Sequence, residues 1–267
     1  MSDYRIHILV LASVCCVVGG TARAGQPLET ESARMIKQGA FEIEGGFERQ
    51  TSAAGTEFAT PLAFEYGLSD RLQLTVEPVL YTAIRDKGFR RQIGPGDLEV
   101  TLASWFVQER ARVPGLALAA EVKLPTARNT RIGTGKTDYN VSLLASKRAG
   151  RWDTHGNVGY TVLGKPASVT VNNIATFALS EELRLNPRFD VVAEVFGNSA
   201  ALSEGGGEGP AAAGSAESQI TPELGGGEIV RAMGLRFHAS RGLTYSLGLS
   251  VDGNKAVLVH PGLSMKW

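Results

Sequence analysis

Histidine and serine are the residue types from which this chain could build a hydrolytic site. His155, His238 and His260 are the histidines outside the N-terminal region. A histidine can take the proton of a serine hydroxyl and so make it a nucleophile. However, no Gly-x-Ser-x-Gly turn is present to expose such a serine, and no histidine pair has the i, i+4 spacing of a helical metal site. The alternative is that these histidines are polar groups bonded to neighbouring carboxylates.

A glycine-rich stretch could bind phosphate. Gly133-Thr134-Gly135-Lys136-Thr137 is similar to the end of a nucleotide-binding loop. The full motif needs a glycine at position 130, where Thr130 stands, and a helix after the lysine. Here the pattern of a strand follows. The sequence therefore predicts a glycine-rich loop, and we expect no nucleotide, metal or other cofactor.

Carboxylate side chains are the third group of residues that could have a functional role, after the histidines and the glycine-rich stretch. One face of the predicted strands carries about fourteen acids and about five bases. Rings of acidic side chains attract cations in a pore, whereas in small barrels such charges can also fill the interior as ion pairs. Both interpretations stay open, as does a role for Trp105 as a plug or a stacking surface for an aromatic solute. The residues predicted to line the lumen are Glu42, Glu44, Glu65, Arg71, Glu77, Glu99, Trp105, Glu121, Lys123, Asp138, His155, Arg184, Asp190, Glu194, Arg236, His238, His260 and Lys266.

Alternating strands must position these side chains. In the last eleven residues, Val257 to Trp267, apolar residues occupy one parity and mostly polar residues the other, which is typical of a β-strand. Eleven further segments show the same alternation. On this register the apolar faces carry only Glu181 and Arg231 as charges. Since a basic side chain facing lipid at mid-bilayer costs about 2–4 kcal/mol, such faces suit contact with a membrane.

Connection lengths distinguish a membrane barrel from a soluble sandwich. Short connections alternate with long ones, as periplasmic turns alternate with extracellular loops in bacterial barrels. The tight ones are Gly67 to Asp70, Ala149-Gly150, Asn186-Pro187 and Ser240 to Gly242; the long ones are Thr82 to Gly96, Pro125 to Lys136 and Asn198 to Gly226.

The predicted fold is all-β, a closed antiparallel transmembrane β-barrel of about 12 strands over residues 39–267, with a long flexible extracellular loop at 198–226. Closure is expected because each unpaired backbone group in hydrocarbon costs several kcal/mol. Twelve strands imply a backbone radius of about 12 Å, so the lumen is narrow or plugged.

The N-terminal region reads as an export signal. An apolar stretch from Ile8 to Val18 precedes Ala22-Arg23-Ala24, so residues 1–24 are predicted to be a cleaved signal peptide and 25–38 a short periplasmic lead. Both cysteines lie in the signal, which excludes disulfides from the mature chain. Of the 27 basic and 27 acidic residues, Arg5, Arg23 and Asp3 also lie there, which leaves a net charge of −1 and no support for nucleic-acid binding.

Four segments combine turn and strand signatures. They are Thr60 to Leu72 (TPLAFEYGLSDRL), Gly94-Pro95-Gly96-Asp97-Leu98, Lys123-Leu124-Pro125-Thr126 with Gly133, Gly135 and Asp138-Tyr139, and His155 to Tyr160 (HGNVGY). These segments resemble a bacterial outer-membrane family named for the meta-pathway of phenol degradation, whose members are called transporters. Ala127 departs from the family pattern, which has glycine there. The resemblance implies a barrel in the cell outer membrane that moves small, including aromatic, compounds.

The sequence thus predicts a monomeric, non-enzymatic channel for small solutes, among them aromatic or cationic compounds. Its expected partners are outer-membrane lipid, the solute, and the barrel-assembly machinery, which would recognise the final strand ending in Trp267. Two alternatives stay open: a lipid-acting barrel enzyme, and a non-conducting structural or adhesion barrel.

Overall fold

The computed structural model describes residues 28–165, 171–201 and 227–267, and the strands in these ranges form one antiparallel sheet. Its strands are β1 (Phe41–Gly46), β2 (Glu48–Thr51), β3 (Gly55–Ser69), β4 (Leu72–Asp86), β5 (Gln92–Gly94), β6 (Leu98–Val107), β7 (Gly115–Leu124), β8 (Asp138–Ala149), β9 (Trp152–Val162), β10 (Ile174–Asn186), β11 (Phe189–Asn198), β12 (Glu228–His238), β13 (Leu243–Val251) and β14 (Val257–Lys266).

The sheet closes into a barrel with twelve strand positions around its circumference, and we call each position a stave. β1 and β2 both pair with β3 on one side and β14 on the other, so they are two parts of one stave interrupted at Phe47. β5 and β6 likewise both pair with β4. The pairing of β14 with β1 joins the last stave to the first, and the predicted closed twelve-stranded barrel is confirmed.

The two faces of the barrel have the predicted polarity, except that Arg49 and Arg85, which lie beyond the predicted alternating segments, also face outward. Leu118 and Leu249 are 48% and 49% exposed on the outer face, whereas the charged side chains of Asp190 and Arg236 are buried inside. Alternation produces this result because successive side chains of a strand point to opposite faces. Phe41 and Trp267 stack at 6.0 Å where the first and last staves meet.

The two ends of the barrel differ. At one end, which we call the turn end, the staves are joined by residues 70–71, 108–114, 150–151, 187–188 and 239–242. The opposite end, which we call the loop end, carries residues 87–91, 125–137 and the connections after β9 and β11. Of the predicted long loop 198–226, positions 202–226 lie outside the described residues, as does the predicted signal peptide.

The predicted loop from Thr82 to Gly96 is wrong in extent. β4 continues to Asp86, and β5 pairs with it through Thr82 and Ile84. The register shifts between the β3 residues Ala59 and Pro61, and beyond that irregularity Thr82 and Ile84 face inward. The irregularity reverses the parity of the strand, which hides it from a period-2 search.

The lead before β1 is placed differently from expectation. The sequence predicts a periplasmic segment at 25–38, but residues 28–36 lie inside the barrel, where their backbone bonds to inward side chains, and Lys37 and Gln38 are exposed at its turn end. An extended segment without strand partners needs polar groups for its N–H and C=O groups, and the wall of the lumen supplies them. No helix in the described part of the chain is long and apolar enough to span a membrane.

Candidate functional site

The lead, residues 28–38, crosses the lumen from the middle of β11 to the turn end of β4. At its first end, the N–H of Glu29 donates to Oε2 of Glu194, a β11 carboxylate, at 3.0 Å. The N–H and the hydroxyl of Thr30 both donate to Oε1 of the same carboxylate. One inward glutamate therefore holds two successive residues of the lead.

The next residues bond to β9, β8 and β6. The side-chain amide of Asn157, in the orientation that satisfies its hydrogen bonds, donates to the carbonyl of Glu31 at 3.0 Å and accepts its N–H at 2.7 Å. The N–H of Ala33 donates to Oγ of Ser146 at 2.8 Å. The indole N–H of Trp105 donates to the carbonyl of Ala33. Side chains of three staves thus replace the backbone partners that a strand would have.

Arg34 is the main electrostatic anchor of the lead. Its guanidinium donates to both carboxylate oxygens of Asp153 at 2.8 and 3.1 Å, and Nε donates to Glu109 at 2.8 Å. Burial alone would raise the pKa of Glu109, but the N–H of Arg148 and the Arg34 guanidinium outweigh it and hold that pKa below its usual range. Glu109 therefore stays ionised at neutral pH, and the lead is held by two charge-assisted contacts.

An apolar patch lies against the same part of the lead. Ala33 and Met35 pack on small inward residues, with Trp105 against them. The patch on the wall consists of Ala103, Ala117, Ala119 and Leu144. Small side chains there leave room for the lead inside a narrow barrel, and their burial stabilises the docked segment.

The lead leaves the lumen beside the turn between β3 and β4. The N–H of Ile36 donates to Oε1 of Gln73 at 2.9 Å. Gly67 lies so close that a Cβ there would overlap the carbonyl oxygen of Lys37. The N–H of Gly39 then donates to the carbonyl of Gly67 at 2.8 Å. A glycine at position 67 is therefore required for the lead to enter along this path.

Opposite charges alternate around the inner surface of β8–β14, and we call this set the charge girdle. Its 2.7 Å ion pairs are Arg236 with Glu182 and, across to β1, Lys266 with Glu42, and His238 forms a 2.7 Å hydrogen bond with Asp190. Such pairs in a narrow lumen compensate one another, so this side contributes little net field. The interpretation of barrel-filling ion pairs fits this half of the wall.

The other half of the wall, from β1 to β7, is acidic. Among the described residues of this sector, Lys123 is the single base whose side chain faces inward. Glu42 pairs with Lys266 and belongs to the charge girdle; the other inward acids, which we call the acidic wall, are Glu44, Glu48, Glu57, Glu65, Glu77, Asp97, Glu99 and Glu121. Glu29 and Glu31 of the lead add two carboxyl groups nearby. Burial and repulsion from Glu194, Glu48, Glu77 and Glu99 raise the pKa of Glu29, and burial and repulsion from Glu121 raise the pKa of Glu31. The interpretation of a cation-attracting surface fits this half.

Lys123 fastens the loop end. It forms an ion pair with Asp138 and lies 3.9 Å from Asp97. Asp97 accepts the N–H of Ala127 at 2.9 Å, and Asp138 accepts the N–H of Gly164 at 2.7 Å. The glycine-rich stretch 133–137 belongs to the loop held here, with no helix after it, so the structure does not give it the form of a phosphate-binding loop.

Ser146, His155 and Asp153 have residue types in common with a hydrolase triad. Ser146 Oγ lies 2.8 Å from His155 Nδ1, while His155 Nε2 is 3.7 Å from Asp153. However, His155 and Ser146 are 0% and 1% exposed on the inner face, and Ser146 also accepts the N–H of Ala33. The carboxylate is too far for the hydrogen bond that orients a catalytic histidine, and the lead covers the hydroxyl. This geometry suits lead anchoring better than catalysis.

The predicted lining residues lie on strands with buried or half-buried side chains, with one exception. Arg71 is exposed in the turn between β3 and β4, because that turn occupies Asp70 and Arg71 and ends the alternation. Trp105 faces inward as expected, but its indole N–H donates to the carbonyl of Ala33 in the lead. No group of three or more metal-binding side chains occurs in the part of the chain that the structure describes.

Sequence reasoning missed the residues that hold the lead. Arg34 and Glu109 lie outside the alternating segments, so no pattern marks them. Ser146 and Asn157 share the parity of the inward side chains, but nothing in their type indicates a backbone partner. The available signal was the run of small or apolar inward residues on β6–β8, which a purely aqueous lumen would not require.

No protein-family model and no curated protein sequence matches this chain. Its structure is similar to the COG4313 outer membrane channel from Pseudomonas putida F1, with a TM-score of 0.69 and 10% identity over 90% of this chain and 100% of that one. It is also similar to the KdgM porin in complex with disordered oligogalacturonate (TM-score 0.54, 7% identity) and to the NanC porin (0.54, 9%), each over 84% of this chain and 98% of the other. At these identities the likeness establishes the fold, that of an outer-membrane β-barrel.

Proposed function

We propose that the protein is a monomeric channel of the bacterial outer membrane that passes small solutes and prefers cations. The observation that carries this proposal is the acidic wall, in which Lys123 is the one inward base among the described residues of β1–β7. Acidic linings concentrate cations and repel anions at close range. The exposed apolar band on the outer face supports placement in a membrane, since it suits contact with hydrocarbon.

The lead makes the pathway narrow. It bonds mainly to β8, β9 and β11, on the side of the charge girdle, and it meets Trp105 on β6. Solutes would therefore pass between the lead and the acidic wall. Because the Trp105 ring packs against the apolar cluster that holds Ala33 and Met35, it does not support stacking of an aromatic solute in the docked state. A cationic or neutral solute is the better fit.

Conductance tests this proposal. The refolded full-length mature chain in a planar bilayer under a KCl gradient should give a reversal potential on the cation-selective side. Glu48→Gln and Glu121→Gln remove carboxylates that are half-exposed to the lumen, and each should shift that potential toward zero. The matched control is Glu181→Gln, since this carboxylate lies on the outer face and should leave the potential unchanged. Absence of conductance in both the full chain and a variant lacking 28–38 would refute the channel.

We also propose membership of the family that the sequence resembles. Three of its motifs occupy positions that matter for the lead or the loops. Tyr66-Gly67 forms the passage beside Lys37, Asp97 caps the loop at Ala127, and Asn157 bonds to the lead. A sequence profile built from new homologues tests this assignment, because it should place glycine at position 67 and an amide at 157.

The final strand supports a role for the assembly machinery as a partner. β14 is the stave that closes the barrel, and Trp267 follows it with exchanged backbone hydrogen bonds to Phe41. Before closure its edge would be free to pair with an assembly protein. Trp267→Ala should lower the yield of heat-modifiable barrel in cells while a refolded sample still closes, and equal yields would refute this role.

A further inference from the structure

Three arginines lie on the outer surface at the loop end of neighbouring staves. Arg49 of β2 and Arg85 of β4 are exposed, and both flank β3, where they pair with Phe58 and Thr56 respectively. Arg91 is also exposed and directly precedes Gln92, which pairs with Ile84, so it lies at the same strand end as Arg85. We call Arg49, Arg85 and Arg91 the arginine rim.

The rim lies above the section of the barrel that a membrane core needs. A transmembrane strand crosses the hydrocarbon with about 9–11 residues. β3 and β4 have 15 residues each, so about four residues of each extend beyond the core. β6 pairs with β4 only as far as Pro78, so the extension lies at the loop end and contains Thr56 and Arg85. Arg85 and Arg91 are therefore at the height of lipid headgroups, and Arg49, which pairs with Phe58, lies at the level of the membrane interface.

Aromatic residues mark the membrane boundary at the level of Arg49. Phe47 and Phe58 stack at 5.8 Å on the outer face, and Phe58 meets Tyr81 at 6.2 Å. Aromatic belts of barrels lie at the level of the membrane interface. The hydroxyl of Tyr81 accepts a hydrogen bond from the guanidinium of Arg91 at 3.0 Å, which orients Arg91 over this belt.

Among the described residues, no carboxylate forms an ion pair with any of the three guanidinium groups of the rim, and the nearby Glu48 and Glu57 face inward. Asp86 lies 3.8 Å from Arg131 of the loop 125–137. Like charges at neighbouring strand ends repel one another, so their arrangement on one side of the barrel calls for an anion outside the protein.

We propose that the arginine rim binds the phosphate groups of a phosphorylated glycolipid in the outer leaflet of the outer membrane. An arginine presents a planar fork of donors that matches phosphate oxygens, and three of them at the membrane surface can hold a lipid that carries two phosphates. A transported solute is a poorer occupant, because the rim faces away from the lumen. The inference rests on the proposed outer-membrane location, with the loop end outward.

Lipid binding to the purified, refolded mature chain in detergent tests the rim. Native mass spectrometry would measure binding of bis-phosphorylated lipid A and of the same lipid after removal of both phosphates. Arg49→Gln, Arg85→Gln and Arg91→Gln should each weaken binding about fivefold, since a basic residue near an anionic surface contributes about that factor. The matched control is Arg231→Gln, which removes an exposed outward arginine from β12, away from the rim.

The outcomes separate this inference from the channel proposal. Phosphate-dependent binding that falls in the rim variants and not in Arg231→Gln supports the rim. Equal binding of the dephosphorylated lipid, equal losses in the control, or equal competition by phosphatidylglycerol would overturn it. Conductance measured on the same samples reports on the channel independently, and heat-modifiable migration shows that each variant is folded.

Discussion

Removing the guanidinium of Arg34 should release the lead from the lumen. Arg34 is the residue that ties the lead to both Asp153 and the Glu109 turn. Its side chain is only 12% exposed, so water does not replace the lost contacts easily. We expect Arg34→Ala to leave the barrel closed and to populate a state in which the lead is undocked.

The free energy of docking that Arg34→Ala removes depends on which cations stay beside Asp153 and Glu109. Removing one partner of a buried ion pair costs about 3–5 kcal/mol when the other charge is left alone. Here Asp153 retains Arg148, and Glu109 retains Lys147 at 3.4 Å, so the loss is smaller. A hydrogen bond to a charged group contributes about 1.5–3 kcal/mol, and a net loss of about 2 kcal/mol corresponds to about 30-fold more undocked lead.

Cysteine labelling measures this population directly. Because both natural cysteines lie in the predicted signal peptide, Ser32→Cys would introduce the one thiol of the mature chain. Ser32 lies 3.4 Å from Ser146 inside the barrel, so a maleimide should react with it slowly. In the Arg34→Ala background the reaction should become about 30-fold faster, and planar-bilayer traces should show more frequent high-conductance intervals.

Two variants control the interpretation. Arg34→Lys keeps the charge but not the planar fork, so it should give an intermediate labelling rate. Arg148→Ala removes the other partner of Asp153 without touching the lead, and it should change labelling far less than Arg34→Ala. Labelling within twofold of the parent in Arg34→Ala would show that the lead is held by other contacts, and the anchoring argument would fail.

Three further predictions concern the lead and the loop end. Gly67→Ala should undock the lead, because its Cβ would overlap the Lys37 carbonyl, while Gly253→Ala, with nothing within 4 Å, should not; maleimide labelling compares them. Burial and the neighbouring Glu121 raise the pKa of Glu31 to about 7. The docked lead therefore binds a proton more readily than an undocked one, so high-conductance intervals should increase from pH 5 to pH 8. Glu31→Gln should reduce this change, and the remainder comes from Glu29, whose pKa burial also raises; an unreduced change would contradict the role of Glu31. Lys123→Ala leaves two buried carboxylates without their cation and should speed tryptic cleavage of the loop 125–137 at least tenfold; an unchanged rate would contradict its fastening role.

The strands and their faces could be predicted because the barrel imposes one simple rule along most of the chain. Leu118 and Glu121 occupy opposite parities in the sequence and opposite faces in the structure. The rule fails where the backbone departs from regular pairing. Arg71 shares the inward parity but lies in a turn, and Thr82 and Ile84 follow an irregularity that reverses the faces. These departures depend on local backbone geometry, which residue type alone does not specify.

The sequence also could not show that the two halves of the lumen wall differ in charge. Parity shows that Glu99 and Glu182 both face inward, but it does not say which charges are neighbours across the staves. Register makes the difference: β12 places Arg236 near Glu182 at 2.7 Å, whereas β4 places Glu77 opposite Glu99. A one-residue change of register would alter every such pair. The contrast between the charge girdle and the acidic wall is therefore a property of pairing, not of composition.

One feature of the sequence nevertheless indicates that a segment of the chain occupies the lumen. A barrel of twelve staves has an interior that must be filled by side chains, water or another segment. Ala103, Ala117 and Ala119 face inward at one height, and Leu144 joins them, although an aqueous lumen gains nothing from apolar groups. Small side chains cannot reach across to fill the space themselves. Their presence on adjacent staves therefore predicts an apolar occupant that comes from elsewhere in the chain, and the pair Ala33 and Met35 meets that requirement. Replacing Ala117 by Leu should expel the lead by filling its space, and retention of the slow Ser32→Cys labelling rate would refute this explanation.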